Sequence, residues 1–170
     1  DINPEGGVFK LSKRFMPGLD LFATAGAFVL DEISGDSADP MMYVTQFGGT
    51  YNLGSRTSLK GSFSYYNFSN VKHRNIEGAS YDFKAATPGR IAFGNSRENV
   101  TGANTGRLRY GYSTLTPALE LNIKQPLEFL GIRALDIPQL QFFGEYVENP
   151  LVERANTGYS AGFKFGAGKI

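Results

Sequence analysis

The 170-residue sequence has no cysteine, no tryptophan and a single histidine, His73. Without cysteine there is no disulfide scaffold and no thiolate metal site. A lone histidine removes His-based catalytic triads and two-His metal sites. Long apolar runs are missing as well. The longest nearly apolar stretch, LDLFATAGAFVL at 19–30, is twelve residues with Asp20 inside it, against the roughly eighteen that a spanning helix needs. Nor is there an excess of either charge. The formal net charge of +1 gives no field to attract nucleic acid, and no Lys/Arg cluster is interleaved with stacking aromatics in a recognised motif, so nucleic acid is set aside as a partner. The opening DINPEGG has neither a basic leader nor an apolar signal core, so the chain is expected to be mature or trimmed upstream.

What the sequence does have is glycine (21), phenylalanine (14) and tyrosine (9), with only 19% charged residues, a profile of strands and turns rather than helices. Period-two alternation recurs along it. At 41–53, Met41, Tyr43, Phe47, Tyr51 and Leu53 share one parity opposite Gln46, Thr50 and Asn52. LGSR then turns the chain, and 57–68 puts Leu59, Phe63 and Tyr65 opposite Lys60, Ser62 and Ser64. The same pattern sets Phe9, Leu11 and Phe15 against Lys10, Ser12 and Arg14 before a Pro-Gly turn at MPG. It returns in GRLRYGY (Leu108, Tyr110, Tyr112), in ALELNIK (Leu119, Leu121, Ile123), at Leu140, Phe142 and Tyr146, and at Tyr159, Ala161, Phe163 and Phe165. The apolar parity flips near Pro117, which predicts a bulge or a tight turn there and seven or eight strands in all.

Connections at 16–18 and 54–56 are short, whereas those at 31–40, 69–104 and 148–158 are long and polar. This alternation places the long loops at one end of the sheet, as in outer-membrane barrels; QPLEFLGIRALDIP is a long connection on the short-turn side. A soluble sandwich also alternates. Tyr43 and Tyr51 near opposite ends of one strand, with Tyr65, Tyr66 and Phe68 at the loop end of the next, instead fit an aromatic girdle at a membrane interface. A Lys or Arg facing lipid at midplane costs about 2–4 kcal/mol, and Lys60, Lys124 and Lys164 all avoid the apolar parity. The expected fold is therefore an all-β, transmembrane, antiparallel up-and-down β-barrel.

YNLGSRTSLKGSFSYYNF, LQFFGEYVENP and NTGYSAGFKFG resemble the hairpin and the late strand pair of the putative porin family of Gram-negative outer membranes. The resemblance implies a barrel in the bacterial outer membrane for passive diffusion of small hydrophilic solutes or ions, possessing no catalytic activity and forming a homo-oligomer such as a trimer. Residues 1–170 are expected to be part of a single barrel domain, a section of about seven or eight strands of a larger barrel, because bacterial barrels generally have even strand numbers and open edges do not survive in lipid. A complete eight-stranded barrel is the rival. Two other functions stay open: a scaffold barrel docking other envelope proteins, and a soluble sandwich serving as an adhesin or carbohydrate-binding module.

Parity nominates Lys60, Arg107, Arg109, Glu120, Lys124, Glu145 and Lys164 as pore-lining, and their basic excess favours anions unless neighbouring charges pair with them. The long segment 69–104 carries Lys72, Arg74, Lys84, Arg90 and Arg97 against Glu77, Asp82 and Glu98. Folded inward it forms a basic constriction; folded outward it meets solvent or lipopolysaccharide. Asp31, Glu32, Asp36 and Asp39 lack the spacing of a calcium loop and read as a solvated acidic loop. GFKFGAGKI has the wrong glycine spacing for a phosphate loop. The sequons at Asn67 and Asn99 have no meaning in a bacterial outer-membrane protein. No cofactor and no metal is expected; the expected partners are membrane lipid, lipopolysaccharide and small polar solutes.

Overall fold

The computed structural model describes residues 5–30, 38–73, 97–100, 103–129, 131 and 137–166. In chain order its elements are β1 (Glu5–Met16), β2 (Leu19–Val29), β3 (Met41–Asn52), β4 (Thr57–Ser69), β5 (Arg97–Val100), β6 (Ala103–Leu108), β7 (Tyr112–Lys124), the one-turn helix α1 (Pro126–Phe129), β8 (Gln139–Glu148) and β9 (Thr157–Phe165). Seven strands form one sheet in the order β1-β2-β3-β4-β7-β8-β9, while β5 and β6 pair separately. Every neighbouring pair is antiparallel. Setting aside the β5–β6 hairpin in the β4–β7 connection, each strand pairs with the next along the chain, which makes the sheet up-and-down. It is open, with β1 and β9 as its edges.

No helix among the described residues is long and apolar enough to cross a membrane. The sheet strands run from 9 residues in β9 to 13 in β4 and β7, enough for the roughly 9–11 residues of a tilted membrane-spanning strand. Pro17 and Gly18 make the β1–β2 turn. Gly18 has a φ of 84°, which glycine adopts without steric cost, and its carbonyl accepts a bond from the Asn52 N–H at 2.7 Å. The turn 53–56 and the connection 125–138 lie at this same end, where Arg56 Nη2 meets Glu128 Oε2 at 3.1 Å. The connections after β2, β4 and β8 lie at the opposite end.

Two expectations about strands change. The sheet does not break near Pro117: β7 pairs with β4 in unbroken register from Tyr112 opposite Phe68 to Ile123 opposite Thr57. Pro117 has no amide hydrogen to donate, and the ladder to β8 lapses at Thr116 and Pro117 instead. The flip belongs to residues 109–111, where the chain leaves β6, bends and begins β7. GRLRYGY is thus the end of one strand, a bend and the start of another. Accordingly, the long segment drawn as 69–104 contains β5 and the start of β6, and the β4–β7 connection runs to 111.

Candidate functional site

The register sorts the alternating residues onto two faces. One row runs Leu11–Ala23–Phe47–Phe63–Pro117 across five strands. Another runs Leu19–Tyr51–Leu59–Leu121–Phe142–Phe163 across six. This apolar face is bare: Phe47 is 61% exposed, Phe9 64% and Tyr159 89%. The ring centroids of Phe47 and Phe63 stand 5.4 Å apart, so the side chains pack on one another and not against a second layer. Among the described residues, the buried large hydrophobics are Val71 and Leu108, both in connections at the long-loop end. Among the described residues the other sheet is the two-stranded β5–β6 pair. An apolar area this continuous on a water-soluble monomer is rare, and the interleaved core of a sandwich is missing from the described residues.

The opposite face carries hydrogen-bonding groups joined strand to strand. Arg14 Nε donates to Asp20 Oδ1 at 3.2 Å, Gln46 Nε2 to Ser64 Oγ at 2.9 Å, Lys60 Nζ to Glu120 Oε1 at 2.9 Å, Gln141 Nε2 to Glu120 Oε2 at 3.0 Å, Gln139 Nε2 to Asn122 Oδ1 at 3.0 Å and Ser160 Oγ to Glu145 Oε1 at 3.1 Å. Two hollows open on this face: one of about 350 Å³ between Lys10, Asp20, Thr24, Gln46, Thr50 and Lys60, and one of about 180 Å³ between Glu120, Gln141, Phe143, Glu145 and Lys164. The polar side is therefore the more sheltered one.

Three aromatic rings on the polar face each lie opposite a glycine. Phe22 pairs with Gly48, Phe28 with Gly6 and Phe143 with Gly162. A Cβ at Gly48 would fall 2.7 Å from Phe22 Cζ, and one at Gly162 would fall 2.7 Å from Phe143 Cζ. The absent side chain leaves room for the ring to lie against the neighbouring strand, a pairing that supports glycine in a sheet.

Lys60, Glu120, Lys124, Glu145 and Lys164 share the polar face. Lys164 Nζ stands 5.6 Å from the centroid of Phe143. Arg107 and Arg109 do not belong to this group. Arg107 is in β6, outside the seven-stranded sheet, and Arg109 lies in the following bend, with its guanidinium 5.3 Å from the Tyr110 ring. Of the constriction candidates, Lys72 is exposed just after β4 and Arg97 begins β5; Arg74, Lys84 and Arg90 lie outside the described residues, as do Glu77, Asp82 and the acidic residues Asp31, Glu32 and Asp36.

The five aromatic-girdle candidates divide between the faces. Tyr43, Tyr51 and Tyr65 are on the apolar face. Tyr66 and Phe68 pair with Val44 and Met42 and lie on the face of Lys60; three large residues so close in sequence cannot all share one side of a strand. Tyr146 and Tyr159, paired with each other on the apolar face, join Tyr43 and Tyr65 toward the long-loop end, though nothing singled them out in sequence beyond their parity. Lys13 was missed altogether. It pairs with Leu21 on the apolar side of β1, close to the turn, where a long side chain reaches past the apolar zone.

The connections at the long-loop end are tied to one another. Asn70 Nδ2 donates to Asp39 O at 3.2 Å and the His73 N–H to Leu108 O at 2.8 Å. Asn149, which is 8% exposed, accepts from the Ser113 N–H and the Leu151 N–H and donates to Gly111 O.

An open, up-and-down antiparallel sheet, exposed and apolar on one face, sheltered and polar on the other, has the build of a section of membrane β-barrel wall. The family model described as "Putative porin" matches residues 1–111, and the chain belongs to that family. Membership carries with it a porin-like, outer-membrane role at a coarse level. No curated protein and no solved structure matches the chain significantly.

Proposed function

We propose that the polar face lines a water-filled pore in the bacterial outer membrane and that small hydrophilic solutes and ions cross by passive diffusion, with no chemical step. The observation that carries this reading is the separation of faces: Phe47, packed on Phe63, stands exposed among Phe9, Leu11 and Phe163 on one side while Gln46–Ser64 and Lys60–Glu120 form a bonded polar wall on the other. In lipid the outward face must be apolar, and the only water at mid-depth is inside the barrel.

The dimensions support the same reading. Tyr43 and Tyr51 are eight residues apart on β3, about 27 Å along a strand. At a tilt of roughly 40° this spans about 20 Å of membrane, near the roughly 25 Å apolar band of such barrels. Tyr43, Tyr65, Tyr146 and Tyr159 then mark the interface on the long-loop side, facing lipopolysaccharide, and the short turns face the periplasm. The test is conductance of the purified full-length protein in planar bilayers. Stepwise ohmic currents in potassium chloride support a pore, whereas a folded, inserted but silent barrel supports a plugged, scaffolding one.

A further inference from the structure

The larger hollow on the polar face has a composition that selects among solutes. Across the rows that meet there, most charges are already compensated: Arg14 pairs with Asp20 and Lys60 with Glu120. Lys10 is different. Its register neighbours are Thr24 and, one strand further, Gln46, and it makes no ion pair among the described residues. One row along, Phe22 lies against Gly48 and borders the same hollow. Thr24, Gln46 and Thr50 add neutral donors and acceptors, and Asp20 and Lys60, each held in its ion pair, line the hollow as well. The hollow thus has in its lining one cation that makes no ion pair among the described residues and one aromatic ring, in a volume of about 350 Å³, at the small end of ligand-site sizes.

We infer that this hollow is a binding station for small monocarboxylates with a flat apolar body, with Lys10 holding the carboxylate and Phe22 stacking on the body. A neutral sugar would leave the Lys10 charge without a counterpart, and a cation would be repelled by it. A dicarboxylate would bring a second charge to a site with one to offer, since Lys60 is already engaged by Glu120. The inference rests on the polar face being the pore wall, and it names the solute class that this wall retains.

The experiment is titration of the full-length protein, folded in detergent micelles, with benzoate, acetate, benzyl alcohol and glucose, read by saturation-transfer NMR and calorimetry, beside bilayer conductance of the same preparations. Benzoate is expected to bind in preference to the other three. Lys10→Gln and Phe22→Leu are each expected to weaken it by about tenfold, as loss of a charge-assisted contact or of a stacking surface would. Lys10→Arg and the distant loop variant Arg154→Gln should leave binding within about twofold. Equal binding of benzoate and glucose, or benzoate binding indifferent to Lys10→Gln in a protein whose micelle-folded state is unchanged, overturns the inference. Conductance without selective benzoate binding overturns this inference and leaves the pore standing; selective binding without conductance does the reverse.

Discussion

Lys60 and Glu120 are register partners on β4 and β7, 60 residues apart in sequence, with their charged atoms 2.9 Å apart. The pair sits on the polar face and remains partly exposed, at 38% and 30% of the two side chains. Such a pair contributes at most about 1 kcal/mol to stability, so its consequence is the local charge of the wall.

Lys60→Glu is therefore expected to leave assembly intact and to move ion selectivity toward cations. Glu120→Gln, which frees the Lys60 charge, is expected to move it toward anions. Reversal potentials under a potassium chloride gradient report both shifts, and their signs should be opposite.

Phe63→Arg places a charge on the apolar face midway along β4, at a cost of about 2–4 kcal/mol at the bilayer midplane. Barrel assembly should fall, read as loss of the heat-modifiable band on gels. Thr50→Arg, on the polar face of the adjacent strand, should assemble normally.

Gly48→Ala and Gly162→Ala both bring a methyl group against a ring, but at Gly48 it also meets the Gly61 carbonyl. Backbone yields less readily than a side chain, so Gly48→Ala should lose about 1–3 kcal/mol and Gly162→Ala less. Adding Phe143→Leu should restore most of the loss at Gly162. Urea unfolding in detergent measures each step.

Asn149→Ala removes one acceptor and one donor bond that join the β8–β9 connection to the start of β7, and one acceptor bond to Leu151 within that connection. For a buried group this costs about 1–3 kcal/mol. Cleavage of the folded protein by protease within 150–156 should speed up, while the strands stay resistant. Asn149→Asp, which keeps the acceptor, should fall between.

Much of this fold is legible in sequence because a strand half in lipid and half in water enforces alternation. Phe47 and Phe63, Gln46 and Lys60 each reveal their face by parity alone, and the turns at Gly18 and at 53–56 carry their own signals. What parity does not carry is register. Nothing near Lys60 indicates that Glu120 will stand opposite it, so a charge read as free is partly neutralised. Parity also misleads where residues leave the sheet: Arg107 and Arg109 alternate as a strand does but belong to a hairpin and a bend. Tyr66 and Phe68 look like companions of Tyr65, yet consecutive positions must point to opposite sides. Pro117 reads as a break, whereas the sheet absorbs it by releasing a stretch of one ladder and keeping the other. Lys13 escapes notice because its neighbours Lys10, Ser12 and Arg14 already define the polar parity.

The absence of cysteine from these 170 residues allows the most direct measurement. Single cysteines are introduced at each position from Met42 to Thr50 in the full-length protein, reconstituted in liposomes and exposed to a small, water-soluble, membrane-impermeant maleimide. Labelling is expected to alternate with a period of two, strong at the positions of Val44, Gln46 and Thr50 and absent at Tyr43, Thr45 and Phe47. Uniform labelling along the strand, or protection of the Gln46 side with labelling of the Phe47 side, would contradict a wall that has lipid on one face and water on the other.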